Sequence, residues 1–282
     1  MASKTPGDWV EVIHAPRSLL GDLYHQLLRA RWGATAASIT VMFLGTNVVF
    51  ALLYLAVGGV ANARPGSFYD AFFFSVQTLG TIGYGTMYPA SPAAHAVVTA
   101  EALAALAVSA ISTGLVFAKF SMPTARLAFT RQATIFTMDA ARTLAFRVAN
   151  ERGNYVVEAQ IRVSLVRTER TAEGLVFYKM HDLKLDRDRS PALGRSWTVL
   201  HRIDEASPLF SATPESLARD EVELIVTILG IDGTSAQTIH GRHTYEDKDL
   251  RFGKRHADLL TPLPGGRIQL DYAKFHDLVD AA

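Results

Sequence analysis

The 282-residue sequence contains no cysteine. This absence excludes a disulfide framework, a thiolate zinc site and a catalytic cysteine, and it is compatible with a reducing compartment. The first 32 residues also lack an apolar core followed by a small-residue cleavage site, so we expect no cleavable signal peptide.

Charge is scarce in one long part of the chain. Residues 33–118 carry only Arg64, Asp70 and Glu101, whereas the rest of the chain carries the other 52 charged residues. A segment so poor in charge is neither a disordered tail nor a single core helix, and it excludes a purely soluble domain. The net charge of +1 argues against a nucleic-acid binder or an acidic tail protein.

Two apolar stretches, residues 34–60 and 93–120, are each long enough to cross a hydrocarbon core of about 30 Å. Residues 68–85 between them are apolar and aromatic but too short and too rich in glycine to span, so they predict a re-entrant segment. The sequence therefore predicts three parts: an N-terminal segment 1–32, a transmembrane pore domain 33–121 and a third domain 122–282.

The basic residues predict the orientation of the two spans. Arg29 and Arg31 precede the first span, Lys119 and Arg126 follow the second, and the connecting loop offers only Arg64. By the positive-inside rule, both termini are expected in the cytoplasm. Residues 18–32 show apolar residues at helical spacing and a basic end, which is typical of a helix lying in the headgroup plane. An ordinary helix packed on protein is the alternative.

A short helix is predicted after the connecting loop. Ser67 and Asp70 have the spacing of a capping box, and the helix should run for about 12 residues to near Leu79. Entering from outside, its C-terminal end would place the negative end of the helix dipole near the middle of the bilayer. A dehydrated cation would be stabilised there.

Thr81, Ile82, Gly83, Tyr84 and Gly85 follow this helix directly. A selectivity filter replaces the water shell of an ion with backbone carbonyls, and glycine adopts the required dihedrals without penalty. Thr81 adds a hydroxyl at the inner mouth, and the Tyr84 ring would support the filter from behind. A chance Gly-Tyr-Gly turn is the alternative, and the position between two spans argues against it. Because one chain supplies one filter strand, we expect a homotetramer.

The sequence from about residue 122 onward alternates between apolar and polar residues. Val157, Ala159, Ile161, Val163 and Leu165 alternate with polar residues, and the run from Val222 to Ile228 repeats the pattern. Pro264, Gly265 and Gly266 form a turn signal. Several such strands predict a β-sandwich.

No catalytic constellation is recognisable. The nine histidines are scattered, and the His181–Asp182 neighbours are interpreted as a structural hydrogen-bonding pair rather than a catalytic dyad. The segment Gly230, Ile231, Asp232, Gly233 and Thr234 is too short for a phosphate loop and lacks its lysine. We therefore predict that the protein is not an enzyme and needs no cofactor.

The filter pentapeptide resembles the TVGYG loop of potassium channels, the established example of a carbonyl filter. Nearly the whole chain resembles the prokaryotic inward-rectifier potassium channels (KirBac). The resemblance is carried by Asp22-Leu23-Tyr24, residues 71–78 (AFFFSVQT), 113–118 (TGLVFA), 181–183 (HDL), 196–199 (SWTV) and 203–209 (IDEASPL). It implies two spans, a pore helix, an interfacial slide helix, a cytoplasmic immunoglobulin-like β-sandwich and K⁺ as the permeant ion in a bacterial inner membrane.

The resemblance also implies roles along the second span. Ser109 matches the cavity position where the family has an acidic residue or asparagine for polyamine or Mg²⁺ block, so we expect no strong rectification. Phe117 matches the bundle-crossing gate, although a lone aromatic is more often packing. Ala105 replaces a glycine proposed as a hinge, which leaves Gly114. Residues 230–234 match the loop that lines the cytoplasmic pore as a second gate.

Three departures from the family concern the filter. Gly80 stands where alanine or threonine is usual, Gln77 where many relatives have glutamate, and Met87 where eukaryotic relatives have its arginine partner. Because both charges of that ion pair are missing, the filter must be supported in another way. Glu101, the only acid in the second span, is expected about two turns below its outer end and behind the filter, either as a structural brace or as an ion ligand.

Basic residues at the inner membrane face are candidates for lipid binding. Arg17, Lys119 and Arg126 would contact anionic headgroups, and the resemblance favours phosphoinositides. Simple topological flanking charge is the alternative interpretation. A membrane-anchored sensor with a vestigial pore is an alternative function, and the intact residues 81–85 argue against it.

Overall fold

The computed structural model describes residues 23–123 and 125–281. These residues divide into two compact units, one ending at Met122 and one beginning at Pro123, which we call the helical unit and the β unit. Arg17 and residues 18–22 of the predicted slide helix lie outside the described residues.

The helical unit is built from four helices and one short strand pair. The helices are α1 (Leu23–Arg29), α2 (Trp32–Val57), α3 (Phe68–Leu79) and α4 (Pro92–Phe120), and the strands are β1 (Val60–Ala61) and β2 (Tyr88–Pro89). At 1.5 Å per residue, α2 and α4 extend about 39 and 44 Å, so both are long enough and apolar enough to cross a membrane. The 12-residue α3 is too short to do so, as the sequence predicts.

The turn after α2 explains why the first span ends at Val57 rather than at Val60. Gly58 and Gly59 both have positive φ, at 65° and 76°, which ends the helix. A Cβ atom on Gly59 would lie 2.0 Å from the Ser91 hydroxyl oxygen, so only glycine fits where the chain passes Ser91. β1 then pairs antiparallel with β2, so the chain just after α2 is tied to the chain just before α4.

The helical unit has a small core behind α3. Phe50, Ala51 and Tyr54 of α2 pack on Ala71 and Phe74 of α3. The rings of Tyr54 and Phe74 meet edge to face, with their centres 4.9 Å apart. This contact holds the short helix against the first long one.

The β unit contains the remaining described strands, one short α-helix and two single-turn 3₁₀ helices, Asp247–Asp249 and Tyr272–Lys274. The strands that form its two main sheets are β3 (Leu127–Phe129), β4 (Ala133–Met138), β5 (Ala141–Asn150), β6 (Val156–Arg170), β7 (Val176–Asp182), β8 (Arg189–Leu193), β9 (Ser196–Arg202), β10 (Glu223–Asp232), β11 (Thr238–Glu246) and β12 (Leu250–Phe252). Helix α5 (Pro214–Arg219) precedes β10, and Thr213 and Ser216 form a complete capping box at its start.

The two sheets face each other and form the predicted β-sandwich. In one sheet β10 lies between β11 and β6, and β6 pairs along its other edge with both β7 and β8. In the other, β5 pairs with β3 and β4 on one edge and with β9 on the other. Apolar side chains from both inner faces form the core, among them Phe146, Val148, Ile161, Leu165 and Leu224.

The alternation predicted along β6 is wrong at Val157, the first residue of the predicted pattern. Ala159, Ile161, Val163 and Leu165 are buried as predicted, but Val157 is exposed and Val156 is buried instead. Glu158 has a φ of +50°, and the pairing with β10 shifts register at the same place. A β-bulge inserts one residue there, so the inward phase changes by one position.

The C-terminal segment covers the outer face of β5. Strands β13 (Lys254–His256) and β16 (Leu278–Asp280) pair with each other, as do β14 (Leu260–Pro262) and β15 (Ile268–Leu270). The predicted turn at residues 264–266 joins β14 to β15, with positive φ at Gly265 and Gly266.

Candidate pore and filter

The start of α3 is fixed by a cap and an ion pair. The Ser67 hydroxyl accepts a hydrogen bond of 3.2 Å from the backbone N–H of Asp70, as the capping pattern predicts. The Asp70 carboxylate does not complete a capping box. It binds Arg64 instead, through Nε, Nη2 and the backbone N–H at 2.8–2.9 Å. Sequence reasoning assigned Arg64 no role, although it is the only cation in the connecting loop.

The end of α3 turns directly into residues 81–85. The N–H groups of Gly80 and Thr81 donate to the carbonyls of Val76 and Thr78, both at 3.0 Å. A Cβ atom on Gly80 would lie 2.7 Å from the Val76 carbonyl oxygen, which is too close. A residue with a side chain would therefore disturb this tight helix end. The departure at Gly80 therefore has a steric reason here.

Gln77 supports the next residues through its backbone. Its carbonyl accepts hydrogen bonds from the N–H groups of Ile82 at 2.8 Å and Gly83 at 3.3 Å. The contacts that tie α3 to the filter segment therefore do not depend on which side chain stands at position 77.

Along residues 81–85 the backbone φ angle alternates between positive and negative values. Thr81, Gly83 and Gly85 have φ values of 55°, 59° and 76°, whereas Ile82 and Tyr84 have negative φ. This alternation points successive N–H groups to one side, and the carbonyls of planar peptides then point to the other. The Tyr84 side chain is 72% exposed, so the expected support from its ring is not formed within a single chain.

Four buried polar side chains connect the short helix α3 to the two long helices α2 and α4. Tyr54 and Asn47 come from α2, Ser75 from α3 and Glu101 from α4, and each is at most 2% exposed. The Tyr54 hydroxyl donates to one carboxyl oxygen of Glu101, and the Ser75 hydroxyl lies 2.5 Å from the other. Ser75 also lies 2.9 Å from the Asn47 side-chain oxygen. Of the two roles left open for Glu101, these contacts are those of a brace.

Residues of α4 expected to line a cavity and a gate lie on one exposed side of the helix. Ser109 and Phe117 are eight positions apart, about 80° around the axis, with Thr113 between them. Phe117 is 71% exposed, and Ser109, Thr113 and Gly114 are exposed as well. These positions are exposed within the described chain, as expected for a surface completed by other copies.

Lys119 requires a correction of the lipid interpretation. Its ammonium group donates to the backbone carbonyls of Leu27 and Leu28, at 3.2 and 3.1 Å, and to that of Ala30. It also lies 5.4 Å above the ring centre of Trp32. An ammonium group has three hydrogens, and these three carbonyls at and just after the C-terminal end of α1 accept all of them. The long side chain thus caps a helix rather than presenting a free charge to headgroups.

The expected cytoplasmic loop begins later than predicted. Gly230, Ile231 and Asp232 are the last residues of β10, and the turn starts at Gly233. The Asp232 carboxylate accepts from the N–H groups of Thr234 at 2.9 Å and Ser235 at 3.0 Å. These bonds, with further ones from Asn154 and Arg152, lower the pKa of Asp232 to about 2. The buried carboxylate therefore fixes the turn while Ile231 stays partly exposed.

Two further sites in the β unit were predicted. Arg126 is exposed, as a headgroup-binding residue needs to be. His181 and Asp182 do not pair with each other, because neighbouring strand residues point to opposite faces. His181 lies 3.1 Å from Glu169, whereas Asp182 accepts a hydrogen bond from Ser164. Among the residues placed by the structure, no three His, Asp or Glu side chains form a metal-binding group.

Comparison with known proteins decides the family. Residues 127–282 match the model of the inward rectifier potassium channel C-terminal domain, and residues 37–122 match an ion channel model. The inward rectifier potassium channel Kirbac3.1 of Paramagnetospirillum magnetotacticum is 44% identical over 93% of this chain and 89% of its own length. The chain belongs to the inward-rectifier potassium channel family.

Eukaryotic members of the family are more distant. The human G protein-activated inward rectifier potassium channel 3 is 33% identical over 92% of this chain and 71% of its own length. The human ATP-sensitive inward rectifier potassium channel 12 is 27% identical, and this chain covers 64% of it. As a member of a channel family with two membrane-crossing helices, the chain is a membrane protein and not an enzyme.

Proposed function

We propose that four copies of this inward-rectifier family chain form a potassium-selective channel. The observation that supports this most is the segment of residues 81–85, where the sign of the backbone φ angle alternates directly after a capped pore helix. Four such segments around one axis would present rings of carbonyl oxygens that replace the hydration shell of K⁺. The permeant K⁺ is the only ion this requires, and no cofactor is needed.

The exposed side of α4 supports a proposal for the gate. Four Phe117 side chains facing one axis would form an apolar ring that closes the pore by dewetting. Gly114, one turn earlier, is the point where the helix bends most readily. Ser109 offers no charge to a blocking polyamine or Mg²⁺, so rectification is weak. Ba²⁺, a divalent ion close to K⁺ in size, blocks at the filter.

The β unit and the lipid surface are proposed to regulate this gate. Arg126 is exposed, and with Arg17 it would attract anionic lipids such as phosphoinositides, each charge contributing about 1 kcal/mol near the membrane surface. The turn held by Asp232 would present Ile231 to the cytoplasmic pore as a second constriction. The protein would lie in a bacterial inner membrane with both termini in the cytoplasm.

Uptake of radioactive Rb⁺ into liposomes tests this proposal. Liposomes that contain the purified protein should accumulate Rb⁺, driven by an outward K⁺ gradient, and Ba²⁺ should block this uptake. In detergent, the mass of the protein should be that of four chains. Phosphoinositide in the liposomes should change the rate. A folded monomer or dimer without flux would instead support a membrane-anchored sensor and overturn the proposal.

A further inference from the structure

The buried chain of side chains Tyr54, Glu101, Ser75 and Asn47 has a definite order of donors. Asn47 sets the direction at one end, because its Nδ2 donates to the Phe43 carbonyl at 2.8 Å. The Asn47 oxygen therefore faces Ser75 as an acceptor, and the Ser75 hydroxyl must donate to it.

This donation uses the only hydrogen of the Ser75 hydroxyl. The same oxygen lies 2.5 Å from Oε1 of Glu101, so that contact needs a hydrogen from the Glu101 side. The other carboxyl oxygen, Oε2, already accepts from the Tyr54 hydroxyl. With an ionised Glu101, two acceptors would face each other with no hydrogen between them.

Turning the Asn47 amide over does not remove the conflict. Its Nδ2 would then donate to Ser75, and Ser75 could donate to an ionised Glu101. The Asn47 oxygen would, however, lie 2.8 Å from the Phe43 carbonyl oxygen, again two acceptors in contact. In a site with no exposure to water, such a pair is strongly unfavourable.

The charges of the helical unit lead to the same conclusion. Arg64 and Asp70 are bound to each other, and Lys119 is bound to backbone carbonyls. No cation among the described residues contacts Glu101, and its side chain is 0% exposed. A buried carboxylate without a counter-ion is far more costly than a neutral acid.

We propose that Glu101 is a neutral carboxylic acid that acts as a positioning residue for the filter. Its hydroxyl donates to Ser75, its carbonyl oxygen accepts from Tyr54, and Ser75 donates to Asn47. The chain of hydrogen bonds fixes α3 to both long helices. Ser75 lies two residues before Gln77, whose carbonyl holds Ile82 and Gly83. This neutral network stands in for the ion pair that Gln77 and Met87 cannot form.

The effect of Glu101 on the filter rests on the proposed channel function, whereas the protonation state of Glu101 does not. Glutamine and leucine distinguish the two alternatives at position 101. Glu101→Gln can donate to Ser75 and accept from Tyr54, like the neutral acid, whereas Glu101→Leu keeps the size and loses both bonds. If a negative charge were the important feature, both variants would lose it equally.

Infrared difference spectroscopy of wild type minus E101Q at neutral pH reads the acid directly. We expect the carbonyl band of a protonated carboxylic acid, which shifts in D₂O. Carboxylate bands in its place would overturn the proposal, and this measurement requires no ion flux.

Liposome flux then tests the positioning role. We expect the Rb⁺/Na⁺ uptake ratio to fall about tenfold or more in E101L, because two buried partners lose their bonds, and to fall much less in E101Q. Equal losses in E101Q and E101L would overturn the role. Absence of flux in the wild type would contradict the channel function but not the neutral acid.

Discussion

Arg64 and Asp70 form a two-point ion pair that closes the loop leading into α3. The guanidinium Nε and Nη2 donate to the two carboxylate oxygens at 2.9 and 2.8 Å. The two residues thus supply the only charge pair among the described side chains of the helical unit. The pair fixes the N-terminal end of α3, whereas the proposed neutral network at Ser75 fixes its middle.

A double-mutant cycle tests this pair. R64Q and D70N should each lower the midpoint of thermal unfolding of the detergent-solubilised protein. R64Q should have little further effect when D70N is already present, because the partner is gone. Additive effects would show that Arg64 acts through other contacts.

Lys119 is predicted to hold α1 against the end of α4. In K119M the carbonyls of Leu27, Leu28 and Ala30 lose their donor, so α1 should detach more often. The chain lacks cysteine, so the variant L28C has a single thiol at a half-buried position of α1. The rate at which maleimide labels this thiol measures how often α1 detaches. We expect faster labelling in K119M.

A cysteine at the exposed Tyr24 of the same helix is the matched control for this measurement. Its labelling should be the same with and without K119M. An unchanged rate at position 28 would contradict the capping role, and a phosphoinositide effect lost in K119M but not in R126Q would restore Lys119 as a lipid ligand.

His256 predicts an acid-sensitive stability of the β unit. The side chain is 5% exposed, and burial together with the nearby Arg147 guanidinium lowers its pKa from 6.5 to about 4. Because the unfolded chain binds a proton more readily than the folded one, stability is fully present above pH 6.5 and falls between pH 6.5 and about 4. The loss is at most about 3 kcal/mol.

Trp197 is buried in this unit, so replacing Trp9 and Trp32 by phenylalanine makes its fluorescence a specific probe. H256N should flatten the dependence of the unfolding midpoint on pH between 6.5 and 4. H240N, which replaces an exposed histidine, should leave it unchanged. Equal slopes in the wild type and H256N would contradict the assignment.

Asp232 is predicted to keep the β10–β11 turn closed. In D232A the N–H groups of Thr234 and Ser235 lose their acceptor, so their hydrogen exchange should accelerate. The amide of Gly253, which donates to Ile135 elsewhere in the β unit, should exchange at the wild-type rate. Unchanged protection at 234 and 235 would show that the turn is held by other bonds.

The sequence predicted those features that depend on neighbours along the chain. The two spans follow from apolar length, the start of α3 from the Ser67 cap, and strand β10 from alternation between Val222 and Ile228. The positive φ at Gly83 and Gly85 also follows from residue type. Each of these signals is local and needs no knowledge of the fold.

Features that join distant residues could not be predicted in the same way. Lys119 meets the carbonyls near Ala30 across 89 positions, and Glu101 meets Tyr54 across 47. Basic residues near a membrane end predict lipid contact by default, so the capping role of Lys119 was missed. The bulge at Glu158 was missed because glutamate carries no sign of a positive φ.

The reversal potential of reconstituted channels between K⁺ and Na⁺ solutions tests the central claim most directly. Gly83 and Gly66 are matched, since both have positive φ and open space where a Cβ would lie, but only Gly83 lies in the proposed filter. We predict a strongly K⁺-selective reversal potential for the wild type and G66A, with selectivity lost in G83A. A wild-type reversal potential near zero, or unchanged selectivity in G83A, would contradict the assignment of residues 81–85 as the selectivity filter.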